Sequence, residues 1–330
     1  MAAYLRRRLL QAALTIWAIS IISFVLIELP PGDFVTAYVD RRASQGIPLP
    51  PDEIQVLRVR YGLDQPAAQR YLIWMGRLLQ GDLGVSWIRG QPVSEIISDR
   101  LWLTMAVSLA AILFTWAVAL PVGVYSAIRQ YSAGDYLFTL LCFAGVGVPN
   151  FLLGLLVMYL GFAWFDADVG GLLSVQYVDA PWDAAKLWDL VKHLPLPALV
   201  LGMGGTAYMI RILRANLLDE LSKPYVLTAR AKGLSEIRLL LRYPLRVALN
   251  PLVSTAGYLL PYLVSGSIIV SMVMSLPTVA PVLLSALMDQ DLYLAGTLVL
   301  LLGALTVVGT LISDLLLLWI DPRIRFRGTS

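Results

Sequence analysis

A chain of 330 residues that is 58% hydrophobic and 14% charged, with a mean hydropathy of +0.74, does not have the composition of a water-soluble domain. Its single cysteine, Cys142, excludes a disulfide framework, and with a single histidine, His193, it lacks the ligands of an ordinary zinc site. We therefore predict an integral protein of the lipid bilayer, with no metal site and no nucleic-acid partner.

Six apolar segments are long enough to cross a bilayer, which takes about 20 helical residues. The first follows Arg6, Arg7 and Arg8, but its apolar run exceeds that of a secretory signal and no small-residue cleavage site follows, which indicates a retained anchor. The sequence therefore predicts an all-α protein with six transmembrane helices. Their approximate bounds are Leu9–Leu29, Leu103–Ile128, Tyr136–Phe162, Leu194–Leu213, Leu252–Val273 and Leu292–Ile320.

The charges between these spans predict the orientation of the chain. With the N-terminus in the cytoplasm, the inner side carries fifteen basic and five acidic residues, whereas the outer loops carry ten basic and fifteen acidic residues. The positive-inside rule then places both termini in the cytoplasm. Discounting the long outer segment leaves this orientation unchanged.

The sequence divides into three regions: residues 1–29 with the first span, an extracytoplasmic cap over residues 30–100, and a core of spans two to six over residues 101–330. Apolar residues at helical spacing predict two short amphipathic helices in the cap: Leu57, Tyr61, Tyr71, Trp74, Met75 and Leu78. A cap of this size is small for an enzyme domain, so we expect it to form a docking surface. A second outer loop, Ala163–Lys192, is predicted to be solvated, with tryptophans at the membrane interface.

Small and kinking residues interrupt the third and fifth spans. In the third, the break lies between Gly145 and Asn150. Backbone carbonyls exposed by such breaks need a cavity or a neighbouring helix. These residues can line a pathway for a polar solute or allow close packing of helices, and the two interpretations are not exclusive. The candidate pathway residues are Asn150, Ser254, Tyr258, Pro261, Tyr262, Ser265 and Met272.

A short helix flanked by prolines follows the fifth span. It is expected to form a re-entrant or interfacial element on the outer side, where it can gate the pathway. The candidate gate residues are Met274, Pro277 and Pro281.

Ionisable groups are scarce inside the spans. Glu28 lies at the outer end of the first span, and Asp314 lies toward the inner face, where we expect an arginine such as Arg211 or Arg214 to pair with it. Neither carboxylate provides the midplane relay that ion-coupled transporters usually need. An ion-coupled secondary transporter or channel is therefore a less favoured alternative, and a membrane scaffold that transports nothing is a third.

The segment after the fourth span has the pattern of a polar helix-turn-helix. Pro224 suits a first helical position, Gly233 suits the left-handed end of a helix, and Ser235 can cap the next helix by accepting a backbone N–H. The segment is either a docking element for a cytoplasmic partner or a basic loop on anionic lipid headgroups. The docking interpretation relies on a stripe of small residues formed by Val226, Ala229 and Gly233.

The chain has none of the common catalytic or nucleotide-binding motifs. The dipeptide Gly-Lys never occurs, so the glycine-rich loop that cradles nucleotide phosphates is absent. A nucleophile elbow and a His-Glu-x-x-His motif are also absent. We predict that the chain is not an enzyme and binds no cofactor, so any ATP and Mg²⁺ are bound by partner subunits.

The segment Thr228-Ala-Arg-Ala-Lys-Gly-Leu-Ser-Glu236 resembles the cytoplasmic coupling loop of bacterial ABC importer permeases of the dipeptide/oligopeptide/nickel family. Further motifs resemble that family in order and spacing: Pro31-Gly32-Asp33, Tyr61-Gly-Leu-Asp-Gln-Pro66, Gly81-Asp-Leu-Gly-Val-Ser86, Pro92-Val-Ser-Glu-Ile-Ile97 and Asp321-Pro-Arg-Ile-Arg-Phe326. The resemblance implies a type I ABC importer permease fold in the bacterial cytoplasmic membrane.

The same resemblance implies a set of partners. The chain would pair with a homologous permease, two ATP-binding subunits would lie beneath, and an extracytoplasmic solute-binding protein would deliver peptides or similarly sized polar solutes. In the coupling loop, residues 217–247, Ala229 and Gly233 would enter a groove of the ATPase. The implied coupling residues are Thr228, Ala229, Arg230, Ala231, Lys232, Gly233, Leu234, Ser235 and Glu236.

Two segments depart from the family pattern. The broad coupling-loop consensus begins Glu-Ala-Ala, where this chain has Leu227-Thr228-Ala229. At the outer gate, Ser271-Met-Val-Met274 and Pro277-Thr-Val-Ala280 replace Glu-Thr-Val-Phe and Pro-Gly-Leu-Gly. These changes indicate a divergent branch, for which oligosaccharides or glycosides are the alternative substrate class.

Overall fold

Long apolar helices make up most of the chain. A computed structural model describes residues 2–29, 32–165, 169–253 and 268–320. Within these ranges, four helices are long and apolar enough to cross a membrane: Arg8–Glu28, Val93–Ile128, Pro195–Leu221 and Leu292–Leu315. They confirm the first, second, fourth and sixth predicted spans. Most of the fifth, residues 254–267, lies outside the described residues.

The described helices are numbered in chain order. Their bounds are α1 Ala2–Glu28, α2 Phe34–Ser44, α3 Pro51–Arg60, α4 Ala67–Leu79, α5 Val93–Ile128, α6 Ala133–Gly147, α7 Asn150–Phe165, α8 Ala184–His193, α9 Pro195–Leu221, α10 Pro224–Ala231, α11 Glu236–Arg242, α12 Pro244–Ala248, α13 Ile268–Val273, α14 Val279–Met288 and α15 Leu292–Ile320. A 3₁₀-helix covers Val175–Tyr177. The chain divides into two compact units, of which the first comprises residues 1–104 and 278–307 and the second comprises residues 105–277 and 308–330.

The third predicted span consists of two helices. α6 and α7 meet at an angle of 108°. Between them Val148 has an extended backbone, with φ −94° and ψ 124°, because the ring of Pro149 disfavours the helical conformation in the preceding residue. The predicted break is confirmed, and it produces a sharply bent pair of helices.

The core of the first unit forms around Trp74 of α4, which is only 1% exposed. Its ring stacks on Phe24 of α1 with 6.4 Å between the centroids, and Tyr71 meets Phe24 edge-on at 5.5 Å. Tyr71 and Ser20 also share a hydrogen bond of 2.9 Å. The four residues of α4 whose spacing predicted an apolar face therefore pack inward: Tyr71, Trp74, Met75 and Leu78.

The two helices predicted in the cap are present as α3 and α4, and a third described helix, α2, was not predicted. The additional helix, α2, is capped by Asp33, whose Oδ1 accepts hydrogen bonds from the backbone N–H and the hydroxyl of Thr36, at 2.7 and 2.8 Å. Only Phe34 and Val35 of α2 are buried. Because the rest of the helix is partly or fully exposed, its sequence shows little apolar periodicity.

Glu28, the last residue of α1, is held in an ion pair. The guanidinium of Arg70 donates hydrogen bonds to both carboxylate oxygens, at 2.8 and 2.6 Å. Such a two-pronged contact is among the stronger charge-assisted hydrogen bonds. The carboxylate of Glu28 is thus a structural contact between α1 and α4.

A buried carboxylate connects the loop before α5 to the start of α15. Asp291 is fully buried, and its Oδ2 accepts a hydrogen bond of 2.6 Å from the hydroxyl of Ser86, which is also fully buried. Its Oδ1 accepts from the N–H of Leu294 at 3.3 Å, which caps α15. The Gly81–Ser86 motif therefore has a structural role in the first unit.

Gly84 is expected to be intolerant of any side chain. Its φ is +77°, and a Cβ at this position would overlap the ring of Tyr293. Gly84→Ala should therefore combine backbone strain of about 1–2 kcal/mol with overpacking of about 1–3 kcal/mol. Gly81→Ala is the matched control, since Gly81 has φ +81° and no atom near its Cβ position. Equal unfolding temperatures of the two purified variants would contradict this prediction.

The second outer loop is more ordered than predicted. It contains α8, which is capped by Asp183 through a hydrogen bond of 2.8 Å from the N–H of Lys186. The ammonium of Lys186 is buried, donates to two backbone carbonyls, and lies 4.6 Å from the ring centroid of Trp182. Asp189 accepts hydrogen bonds from the N–H and hydroxyl of Ser174, at 2.7 and 2.8 Å. The prediction of a solvated loop was wrong in part: Lys186 and Asp189 are buried, whereas Asp179, Asp183 and both tryptophans are exposed.

Candidate functional site

Two short helices joined by a tight turn follow α9. Pro224 occupies the first position of α10, where its missing N–H is not needed. Gly233 has φ +78°, and its N–H donates to the carbonyl of Arg230 at 3.0 Å. A left-handed residue at this position ends α10 at little cost only if it is glycine. The predicted helix-turn-helix is confirmed.

The two helices share a small apolar core. Val226 and Leu239 are fully buried, Ala229 is 8% exposed, and Leu234 packs against them. Helices this short are unstable alone in water, so their apolar side chains pack against each other. The predicted docking stripe was therefore wrong in part: Val226 and Ala229 point inward, and Gly233 is its one exposed member.

An ion pair closes the turn between α10 and α11. The guanidinium of Arg230 donates to both carboxylate oxygens of Glu236, at 2.6 and 3.0 Å. Hydrogen bonding from Arg230 lowers the pKa of the Glu236 carboxyl. The predicted capping by the Ser235 side chain was wrong: its hydroxyl makes no capping bond. Instead, the carbonyl of Ser235 accepts from the N–H of Leu239 at 2.8 Å.

The outward side of the helix pair combines apolar and basic groups. Leu227, Ile237 and Leu241 are 56%, 74% and 60% exposed. Thr228, Ala231, Lys232, Gly233 and Arg238 are exposed around them. We call these eight residues the coupling face. Exposed apolar side chains on an otherwise polar loop are typical of a surface that another protein covers.

The helix pair is connected to α9 on both sides. Before it, Asp219 pairs with Lys223 at 3.0 Å, and the phenol of Tyr225 donates to Glu220 at 2.5 Å. After it, the residues of α12 and the turn that follows pack on α9. Four side chains at this contact are no more than 1% exposed: Leu213, Leu217, Ala248 and Leu252. The helix pair is therefore held against a membrane-spanning helix on both of its sides.

The predicted pathway residues are described only in part. Asn150 is half-buried at the start of α7, and Met272 is exposed on α13. The other five, Ser254, Tyr258, Pro261, Tyr262 and Ser265, lie outside the described residues. The pathway therefore stays a prediction.

The predicted gate residues differ in their surroundings. Met274 is 1% exposed, and its carbonyl accepts a hydrogen bond of 2.9 Å from the N–H of Gly171. Pro277 and Pro281 are half-buried, and Ser275 beside Met274 has φ +53°. Met274 thus anchors the second outer loop, and the gating role of the three residues stays a prediction.

One charged pair near the coupling region was not anticipated. Arg214 of α9 donates to both oxygens of Asp135, at 3.1 and 2.9 Å. Asp135 is 3% exposed and also accepts from the N–H of Tyr131 at 3.0 Å. Arg214 is one of the two arginines predicted to pair with Asp314, but its two hydrogen bonds go to Asp135. The pattern Ser132-x-x-Asp135, typical of a helix start, marks this position in the sequence.

Comparison with known proteins places this arrangement in a family. Residues 119–326 match the family model described as the binding-protein-dependent transport system inner membrane component. Residues 1–110 match the model of the N-terminal region of such components. The first match includes the whole of the helix pair.

Full-length relatives have similar sequences. The chain is 35% identical to the oligopeptide transport system permease protein AppB of Bacillus subtilis, over 99% of this chain and 100% of that protein. It is 34% identical to a putative peptide permease protein of Brucella ovis, over 98% and 99% of the two chains. It is 31% identical to the dipeptide transport system permease protein DppB of Escherichia coli, over 99% and 100%.

A solved structure shares the fold. The MetNI methionine ABC transporter, in inward-facing conformations, aligns with a TM-score of 0.54 at 16% identity, over 69% of this chain and 97% of that chain. At this identity the likeness concerns the fold alone. Together with the family matches, it identifies the chain as a multi-pass inner-membrane protein with the type I ABC permease fold, belonging to the family of binding-protein-dependent transport system inner membrane components.

Proposed function

We propose that this chain is a permease subunit of an ATP-driven peptide importer and forms half of the pathway through the membrane. A homologous permease provides the other half, two separate ATPase subunits bind ATP and Mg²⁺, and an extracytoplasmic protein delivers the peptide. Peptides are favoured over oligosaccharides or glycosides because the relatives named above are peptide permeases.

The coupling face is the observation on which this proposal depends. A helix pair with its own apolar core and exposed apolar side chains, joined on both sides to α9, suits the role of a lever. An ATPase that binds Leu227, Ile237 and Gly233 and moves on ATP binding would pull α9 with it. Rigid-body movement of this kind converts an inward-open pathway to an outward-open one.

The charges of the chain support the proposed orientation and energy source. The coupling face carries Lys232 and Arg238, in agreement with a cytoplasmic position under the positive-inside rule. Glu28 is paired with Arg70 and is therefore not available as a simple proton relay. ATP hydrolysis by partner subunits accordingly accounts for transport better than an ion gradient does.

The cap is proposed to receive the solute-binding protein. Its helices α3 and α4 present exposed apolar side chains, among them Val56, Leu72 and Leu79, at 65%, 68% and 79% exposure. Such residues suit a docking surface that is covered intermittently.

Uptake of labelled peptides in a deletion strain tests the proposed function. Cells lacking this chain should lose the ATP-dependent uptake of di- and oligopeptides, and the plasmid-borne chain should restore it. An uncoupler applied while ATP is maintained should leave uptake intact. Loss of glycoside uptake instead would identify the alternative substrate class, and uptake that persists without ATP would contradict ATP-driven transport.

A further inference from the structure

A groove between α6 and α9 lies outside the coupling face. It has a volume of about 410 Å³. One face of α6 forms its wall and the opposing face of α9 forms its floor, because residues three and four apart share a helix face. We call it the α6–α9 groove, defined by Tyr136, Thr139, Phe143, Val146, Ala207 and Ile210, with Arg211 at one end.

The groove is polar at one end and apolar at the other. Tyr131, Arg211 and Arg214 line the polar end, whereas Phe143 and Val146 line the apolar end. Arg214 lies seven positions after Ala207 on α9, so the two residues are about 10 Å apart along the helix axis at a rise of 1.5 Å per residue. The groove thus changes from charged to apolar over the distance that separates a lipid headgroup from the upper part of its acyl chains.

The polar end carries a positive charge that its lining does not neutralise. Among the described residues that line the groove, Asp135 is the single acid. Both of its carboxylate oxygens accept from Arg214, so that pair is electrically balanced. Arg211 is exposed, and its guanidinium is available to an anion.

The apolar end is open to its surroundings. Phe143 is 63% exposed and Val146 is 56% exposed, although both lie in an apolar membrane helix. A peptide placed along them would leave its backbone N–H and C=O groups without partners, which is costly in an apolar site. An acyl chain has no such groups.

We infer that the α6–α9 groove binds an anionic phospholipid. The phosphate lies at Arg211 beside the hydroxyl of Tyr131, and an acyl chain follows Phe143 and Val146. Basic pockets between membrane helices bind anionic headgroups through this chemistry, and tyrosines are enriched at the depth of the headgroups. The bound lipid connects α6 to α9, the helix that carries the coupling face.

Lipid binding to the full-length chain, purified with its partner subunits and delipidated, tests this inference. Dioleoyl phosphatidylglycerol and dioleoyl phosphatidylcholine have the same acyl chains, so native mass spectrometry compares their headgroups directly. Phosphatidylglycerol should bind more tightly, because the cationic choline of phosphatidylcholine offsets the charge of its phosphate. Arg211→Gln should weaken phosphatidylglycerol about tenfold and phosphatidylcholine less, so that the preference between the two lipids shrinks. Arg211→Lys should retain most of the binding. Arg129→Gln, at an exposed residue outside the groove, should have no effect.

A second pair of variants tests the apolar part of the groove. Thr139→Trp fills the groove and should weaken the binding of both lipids, whereas Leu140→Trp, at an exposed neighbour that does not line it, should weaken neither.

Three results would overturn the inference. One is equal affinity for the two lipids in the unmodified protein. Another is displacement of phosphatidylglycerol from Arg211 by a transported peptide, which would make the groove part of the solute pathway. The third is an Arg211→Gln variant that still binds lipid but no longer associates with the second permease. That result would make the groove a subunit interface.

Discussion

Replacing Gly233 with aspartate is expected to abolish peptide uptake while the chain remains folded. A Cβ at Gly233 would meet no atom within 4 Å and the site is exposed, so within the chain the main cost of the substitution is the strain of a positive φ, about 1–2 kcal/mol. On the coupling face, however, it places a charged group where a partner would approach bare backbone. Uptake by cells carrying Gly233→Asp should fall at least about tenfold, the effect of about 1.4 kcal/mol lost at the interface.

The cap provides a matched control for the backbone strain. Gly46 has φ +79° and no atom within 4 Å of its Cβ position, as at Gly233. Gly46→Asp should therefore lower the unfolding temperature about as much as Gly233→Asp does, with uptake preserved. Unchanged uptake in Gly233→Asp, at a normal level in the membrane, would show that the coupling face is not the ATPase contact.

Replacing Asp135 with alanine is expected to be among the most destabilising single changes in the second unit. It leaves the Arg214 guanidinium without its carboxylate and the N–H of Tyr131 without its acceptor. Removing one partner of a buried ion pair costs about 3–5 kcal/mol, and because Arg214 is 28% exposed we expect the lower end of that range. The unfolding temperature in detergent should fall by several degrees.

An exposed ion pair on the same helix is the control for this change. Asp219 pairs with Lys223 at the end of α9, with side chains that are 68% and 42% exposed. Asp219→Ala should change the unfolding temperature little, because water replaces the lost contact. In Asp135→Ala, the additional change Arg214→Met should recover part of the loss, since it removes the unpaired charge. Equal effects of the two aspartate changes would contradict the buried-pair interpretation.

The elements that were predicted correctly are those specified by residues that are close together in the sequence. The spans that the structure describes follow from uninterrupted apolar length. The bend before Asn150 follows from the rule that a residue preceding proline avoids the helical conformation, and Gly233 ends α10 because of its backbone freedom. Each depends on residues within a few positions of one another.

The elements that were missed or wrong depend on contacts between distant residues. Helix α2 buries only Phe34 and Val35, so its apolar pattern is too weak to predict a helix. The direction of Ala229 depends on Leu239, ten positions away, and the partner of Arg214 lies 79 positions earlier in the chain. A sequence shows which charges and apolar groups exist, but packing decides which of them meet.

The sequence by itself determined that the chain is an all-α membrane protein, where the polar helix-turn-helix after α9 lies and that the motif of a phosphate-binding loop is absent, because these follow from composition, local periodicity and motifs. Only the tertiary structure decided which side of the loop is exposed, how it is joined to α9, and that a charged groove lies between α6 and α9. All three depend on which side chains are buried, and burial results from the folding of the whole chain.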